Sequence, residues 1–115
     1  MVEQSVFLRW MMEMNDMKSI VVKVIEYRLL KGIGEKTFLK ASAALMPEIQ
    51  KLKGFIKREL QKGQNGMWRD IVYWKTRKDA DRSEHDIPNL PACMTCIGMM
   101  DHRTISVSHF ELVQP

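Results

Sequence analysis

Three side chains of this sequence have the types needed for acid–base chemistry and sit in runs that read as strands: Glu26, Asp70 and His109. Carboxylates held against tryptophan in a low dielectric have raised pKa values, and a histidine beside them acts as a base near neutral pH. Trp68 and Trp74 flank Asp70 at two and four residues, so in an extended chain all three share one face with Val72. On the closing run Ile105, Val107, His109, Glu111 and Val113 share a face; on the first, Val22, Val24, Glu26 and Arg28 form one set and Lys23, Ile25, Tyr27 and Leu29 the other. If the first of these sets turns inward, Glu26, Asp70 and His109 meet in a pocket walled by Trp68, Trp74, Arg28, Val72 and Val107. Such a base in a dry cavity suffices to take a proton from a phenol and leave a carbanion open to dioxygen. The structural alternative is a satisfied polar network of Glu26, Arg28, Asp70 and His109 between neighbouring strands, with both tryptophans as packing.

Cys93 and Cys96 form a lone CxxC. A structural zinc site needs four ligands, and His85, His102 and His109 fall at no finger-like spacing, so no metal is expected. No strand precedes Cys93 to build a thioredoxin-type site, and two thiols three residues apart are poorly placed for an unstrained bridge. They read as small buried residues of a reducing cytoplasm, packed with Met94, Met99 and Met100. His85, in a charged stretch, reads as solvated, as do Lys51, Lys53, Lys57, Arg58 and Lys62.

These residues are positioned by a regular alternation of elements. The β-branched run Ile20–Leu30 reads as a strand and Gly32 and Gly34 as a turn. From Glu35 to Lys53 Phe38, Ala41, Leu45, Ile49 and Leu52 recur at helical spacing, with Pro47 expected to kink or break the helix near Leu45 and Gly54 to end it. Phe55–Lys62 and Met67–Thr76 read as a hairpin about Asn65-Gly66. A helix over 78–86, a break at Pro88 and Pro91, a short helical piece and a strand over 104–113 complete the chain. The order β-α-β-β-α-β is the ferredoxin-like α+β arrangement, a four-stranded antiparallel sheet with helices on one face. The other face carries large apolar groups and needs a cover, for which a second copy of the chain is the simplest.

The 115 residues exclude two domains, and 45% apolar residues suffice for a core without staples. Lys and Arg number 18 against 14 Asp and Glu, spread along the chain, so nucleic acid is not expected as a partner. No 18-residue apolar run suggests a membrane span, and Arg9 and Glu13 interrupt the only stretch resembling an export signal. Residues 1–19 read as an extension or arm, and 20–115 as the single domain.

Gly54-Phe55, Arg58-Glu59-Leu60, Trp68-Arg69-Asp70-Ile71-Val72-Tyr73-Trp74, an alanine-containing second helical region and the closing His109-Phe110-Glu111 together resemble the dimeric α/β-barrel superfamily, specifically the antibiotic biosynthesis monooxygenase-like proteins. The resemblance spans about residues 20–114. It implies a homodimer whose sheets close face to face, with a cavity between sheet and helices of each monomer for a small, aromatic organic molecule. The superfamily includes cofactor-independent quinone-forming monooxygenases, haem-degrading enzymes and proteins without an assigned activity. Haem-degrading members carry an Asn on the first strand and a Trp with a downstream His on the second helix; residues 20–30 lack the Asn and 77–101 lack the Trp, so no cofactor is expected. The resemblance implies either a cofactor-independent monooxygenase or a non-enzymatic ligand-binding or accessory protein.

Overall fold

In the computed structural model, which describes residues 20–115, the chain runs β1 (Val21–Leu29), α1 (Glu35–Ile49), β2 (Phe55–Lys62), β3 (Met67–Trp74), α2 (Arg77–Asp86), α3 (Pro91–Gly98) and β4 (Met100–Glu111). The expected arm, residues 1–19, lies outside the described residues. Short 3-10 turns at Gln64–Gly66 and Ile87–Asn89 join β2 to β3 and α2 to α3. The strands form one antiparallel sheet in the order β2-β3-β1-β4, the ferredoxin-like topology anticipated from the sequence.

Register decides what the helices cover. Val21, Lys23, Ile25 and Tyr27 of β1 stand opposite Trp74, Val72, Asp70 and Trp68 of β3, and this is the covered face. The other β1 set pairs Val22 with Tyr73, Val24 with Ile71 and Glu26 with Arg69, away from the helices. The inward set of β1 is therefore the one containing Lys23, opposite to the choice that would have brought Glu26 and Arg28 into a pocket.

Two clusters fill the interior. Val21, Leu45, Ile49, Val72, Trp74, Ala80 and Cys93 form one; Tyr27, Phe38, Trp68, Cys96 and Met100 form the other. Edge-to-face stacking orders the aromatics, Phe38 on Trp68 with centroids 5.1 Å apart and Phe55 on Trp74 at 5.9 Å. Pro47 does not break α1 near Leu45. The helix runs to Ile49, because a proline in the last turn removes only one of its terminal bonds, and turns at 50–54 replace the rest of the expected helix. β4 begins at Met100, four residues before the expected start. It pairs with β1 through a register shift between Glu26 and Arg28, where Thr104 Oγ1 accepts from Arg28 N at 2.9 Å.

Gly54 has φ +83°, and a side chain there would collide with the carboxylate of Asp79, in the first turn of α2. Gly32, at φ +93°, has open space around it. Gly54→Ala is expected to lower unfolding free energy in urea by about 2 kcal/mol or more, and Gly32→Ala by only about 1 kcal/mol, since both carry the cost of positive φ but only the first adds a clash. Equal losses would show that the approach of Asp79 is not rigid.

Candidate functional site

Between sheet and helices lies a cavity of about 520 Å³. Its walls are mainly apolar: Ile25, Val72, Trp74, Ile105 and Val107 from the sheet, Phe38, Leu45 and Ile49 from α1, and Ile87, Pro88 and Ile97 beyond α2. Polar groups enter at two places. Arg58 and Asp70 form one, and Lys23, Glu84 and His109 the other.

Asp70 is buried, as its position between Trp68 and Val72 requires. Arg58 grips both its oxygens, Nε to Oδ1 and Nη2 to Oδ2, each at 2.7 Å, and donates from Nη1 to the Ser42 carbonyl of α1 at 3.2 Å. A forked guanidinium on a carboxylate satisfies both partners, so the pair is stable where either charge alone would not be. The arrangement gives Asp70 an anchoring role and leaves no oxygen free to act as a base. Arg58 itself belongs to the interior and not to a solvated basic face. Nearby, burial and then the charge of Asp70 push the Tyr27 phenol well above its usual range, and its hydroxyl has no well-formed hydrogen bond.

The second group comes from three elements. Lys23 of β1 stands directly opposite His109 of β4, and Glu84 of α2 reaches down to both. Its Oε1 lies 2.8 Å from His109 Nε2 and 3.8 Å from Lys23 Nζ. The 2.8 Å approach lacks hydrogen-bond alignment, so Nε2 is buried next to a carboxylate yet without a hydrogen bond among the described residues. The Lys23 side chain is only 8% exposed. Burial lowers its pKa from the usual lysine range, and the charge of Glu84 only partly opposes this. Asp81, Glu84 and His109 also place one donor atom each within 4.8 Å of one another, a spacing a cation could use. The ammonium of Lys23 beside Glu84 and the Arg77–Asp81 pair at 2.8 Å already supply positive charge there.

The sequence-chosen residues thus divide. Asp70, His109, Trp74, Val72 and Val107 line the cavity. Trp68 shares their face but packs with Tyr27 and Phe38 in the second cluster and is not a wall residue. Glu26 and Arg28 are on the opposite face. Glu26 takes a hydrogen bond from Arg69 at 3.1 Å, and Arg28 donates to the Asn65 carbonyl. Sequence reasoning missed Lys23, Arg58 and Glu84. Lysine and arginine within strands look solvated until a partner is known, and Glu84 meets His109 only through tertiary packing. Cys93 and Cys96 are both buried on α3 and face the cavity. Desolvation and the neighbouring Cys96 push the Cys93 thiol up to about 11, and burial also raises Cys96, so both are protonated near neutral pH and poor nucleophiles. His85 is 86% exposed beside Asp86.

A ferredoxin-like sheet with an apolar cavity beneath its helices defines the class, that of ferredoxin-like α+β proteins. Solved structures share it. SnoaB from Streptomyces nogalater, a cofactor-independent oxygenase, matches with TM-score 0.68 and 15% identity over 84% of this chain and 96% of its own. A candidate antibiotic biosynthesis monooxygenase from Bordetella bronchiseptica matches at 0.70 and 14% over 84% and 99%. Rv0793 from Mycobacterium tuberculosis matches at 0.61 and 13% over 84% and 98%. No protein-family model matches the chain, and no curated protein does. The chain shares its fold with these structures, the ferredoxin-like arrangement that the sequence resemblance also implied. Identities this low establish the fold and leave the reaction open.

Two stability predictions follow from the buried charges. Asp70→Ala strands Arg58 and is expected to cost about 3–5 kcal/mol in urea unfolding, whereas Arg58→Met combined with Asp70→Leu recovers most of that loss. A double variant as unstable as the single one would mean that the pair is not balanced by apolar packing. For Lys23, the folded pKa lies below the unfolded value of 10.5, so the unfolded chain binds the extra proton between the two. The burial cost is therefore complete below the folded pKa and disappears as pH rises towards 10.5. Lys23→Met should accordingly stabilise the protein at pH 7, with the advantage shrinking steadily on the way to pH 10.5. An advantage independent of pH would place the amine in solvent.

Proposed function

We propose that this chain is a homodimeric small-molecule-binding protein whose cavity takes an aromatic organic molecule and oxidises it with dioxygen without a bound cofactor. The observation that carries the reading is the apolar 520 Å³ cavity with the His109–Glu84 pair at its polar end. In this reading the His109 imidazole takes a proton from an acidified ring CH2 of the substrate, and Glu84, 2.8 Å from Nε2, stabilises the imidazolium. The carbanion adds dioxygen to give a peroxide, the imidazolium returns the proton, and loss of water leaves a carbonyl. Apolar walls favour this sequence by excluding water from the carbanion.

The homodimer rests on the face of the sheet that no described residue outside the sheet covers. Phe110 is 57% exposed there beside Val22, its partner in the ladder. A patch of this kind on an open antiparallel sheet fits a second copy of the same face. A non-enzymatic binding protein is the second reading. It is favoured by Asp70, whose oxygens are both held by Arg58, so that one of the cavity's two polar groups is structural.

Native and denaturing mass spectrometry on the purified protein, with oxygen-electrode assays on hydroxylated anthrone and naphthol probes, tests both readings. The expected result is a dimer that retains an organic adduct and consumes oxygen. In His109→Ala we expect an intact dimer, retained adduct and at least ~100-fold slower consumption, the usual scale for a lost general base. Adduct without oxygen uptake supports the binding protein, and a monomer with no adduct overturns both.

A further inference from the structure

The amine of Lys23 is not needed for the oxygen chemistry above, and it is an unusual group to bury. Its side chain is 8% exposed and lines an otherwise apolar cavity, with Glu84 at 3.8 Å as its ion-pair partner among the described residues. Full neutralisation of a buried ammonium takes closer contacts than this. From this placement we infer that Lys23 is a carbonyl-capturing amine, which condenses with an aldehyde or ketone group of a cavity-bound aromatic molecule to form an imine.

Each group the step needs is at hand. Glu84 of α2 and His109 of β4 face the amine, Asp81 adds a further negative charge from α2, and the Cys93 thiol faces it from α3. The ammonium gives a proton to Glu84, and the freed lone pair attacks the carbonyl carbon. The carbonyl oxygen collects that proton and becomes the hydroxyl of a carbinolamine. The nitrogen, which still holds two hydrogens, passes one through the Glu84–His109 pair to the hydroxyl, which leaves as water as the nitrogen lone pair forms the C=N bond of a protonated imine. One water is released, nothing is oxidised or reduced, and no further reactant is required. Desolvation by the apolar walls lowers the fraction of protonated amine, which is the usual means by which a protein makes lysine nucleophilic at neutral pH. Burial also restricts the partner to molecules that fit the cavity, so the exposed lysines cannot compete for it.

The inference rests on the cavity accepting an organic ligand, and one experiment separates the two. The full chain is incubated at pH 7 with 2-naphthaldehyde and cyanoborohydride, and in parallel with 2-naphthalenemethanol, which fits the same space and cannot form an imine. Peptide mapping is expected to place the reduced adduct at Lys23, forming at least ~10-fold faster than at any other lysine, because the desolvated amine carries the larger unprotonated fraction. Lys23→Arg and Lys23→Met should each lose this fast phase, and Glu84→Gln should slow it about tenfold or more through loss of the proton carrier. The alcohol should quench tryptophan emission saturably in the wild-type protein. Saturable binding of the alcohol with slow labelling spread over surface lysines overturns the imine and leaves the cavity intact. No saturable binding of the alcohol and no fast labelling overturns the cavity reading and this inference together. The wild-type peptide map decides the site even if a variant fails to fold.

Discussion

The Arg58–Asp70 pair is the interaction on which the interior of this protein depends. It ties β2 to β3 through a two-pronged contact and ties both to α1 through the Ser42 carbonyl. It also lies between the two apolar clusters, one about Trp74 and the other about Trp68. A charge in that position cannot be moved without exposing its partner to a dry interior. The register of β2 against β3, the seat of α1 on the sheet and the boundary between the clusters are therefore set together. Apolar packing alone would tolerate sliding by a side chain's width, whereas a buried ion pair does not.

With one polar group committed to holding the sheet and helix together, the cavity's chemistry falls to the other end, where Lys23, Glu84 and His109 converge. These three come from β1, α2 and β4, so their meeting depends on α2 being held over the far side of the sheet. Thr76 caps that helix by accepting from Asp79 N at 3.0 Å, and Asp79 in turn sits against Gly54 at the start of β2. The glycine at this turn is thus part of how Glu84 is aimed, although it is remote from the cavity.

Much of the architecture was legible in the sequence because it follows from spacing. The β-branched run at 21–25, the helical recurrence from Phe38 to Ile49, the Asn65-Gly66 turn and the paired prolines before Cys93 each carry a local physical signal. The face of β3 was legible too, since Trp68, Val72 and Trp74 outweigh Arg69 and Lys75. On β1 the same reasoning picked the wrong set. Ile25, Tyr27 and Leu29 outweigh Val22 and Val24 in apolar bulk, but their set also turns Lys23 inside, which strand pattern alone disfavours. What settles it is the tertiary partner, Glu84, some sixty positions away, which strand periodicity does not contain. Arg58 was misread for the same reason, because a buried arginine is defined by the carboxylate it meets. Local pattern encodes the elements, while the placement of charge in the interior is encoded only by pairs.

Among the described residues β4 is an edge strand, and its pairing with β1 is interrupted between Ser106 and Asp101. An uninterrupted edge offers a row of backbone donors and acceptors to any extended chain, including another copy of itself. The irregularity bends that row and turns Thr104 back onto the Asp101 carbonyl at 2.6 Å. One half of the edge is in this way withdrawn from templating a neighbour strand, which limits growth of the sheet into a ribbon of stacked chains. Straightening it, by removing the extra residues, would create a longer and flatter edge and with it a route to fibrous aggregation that the native bulge closes off.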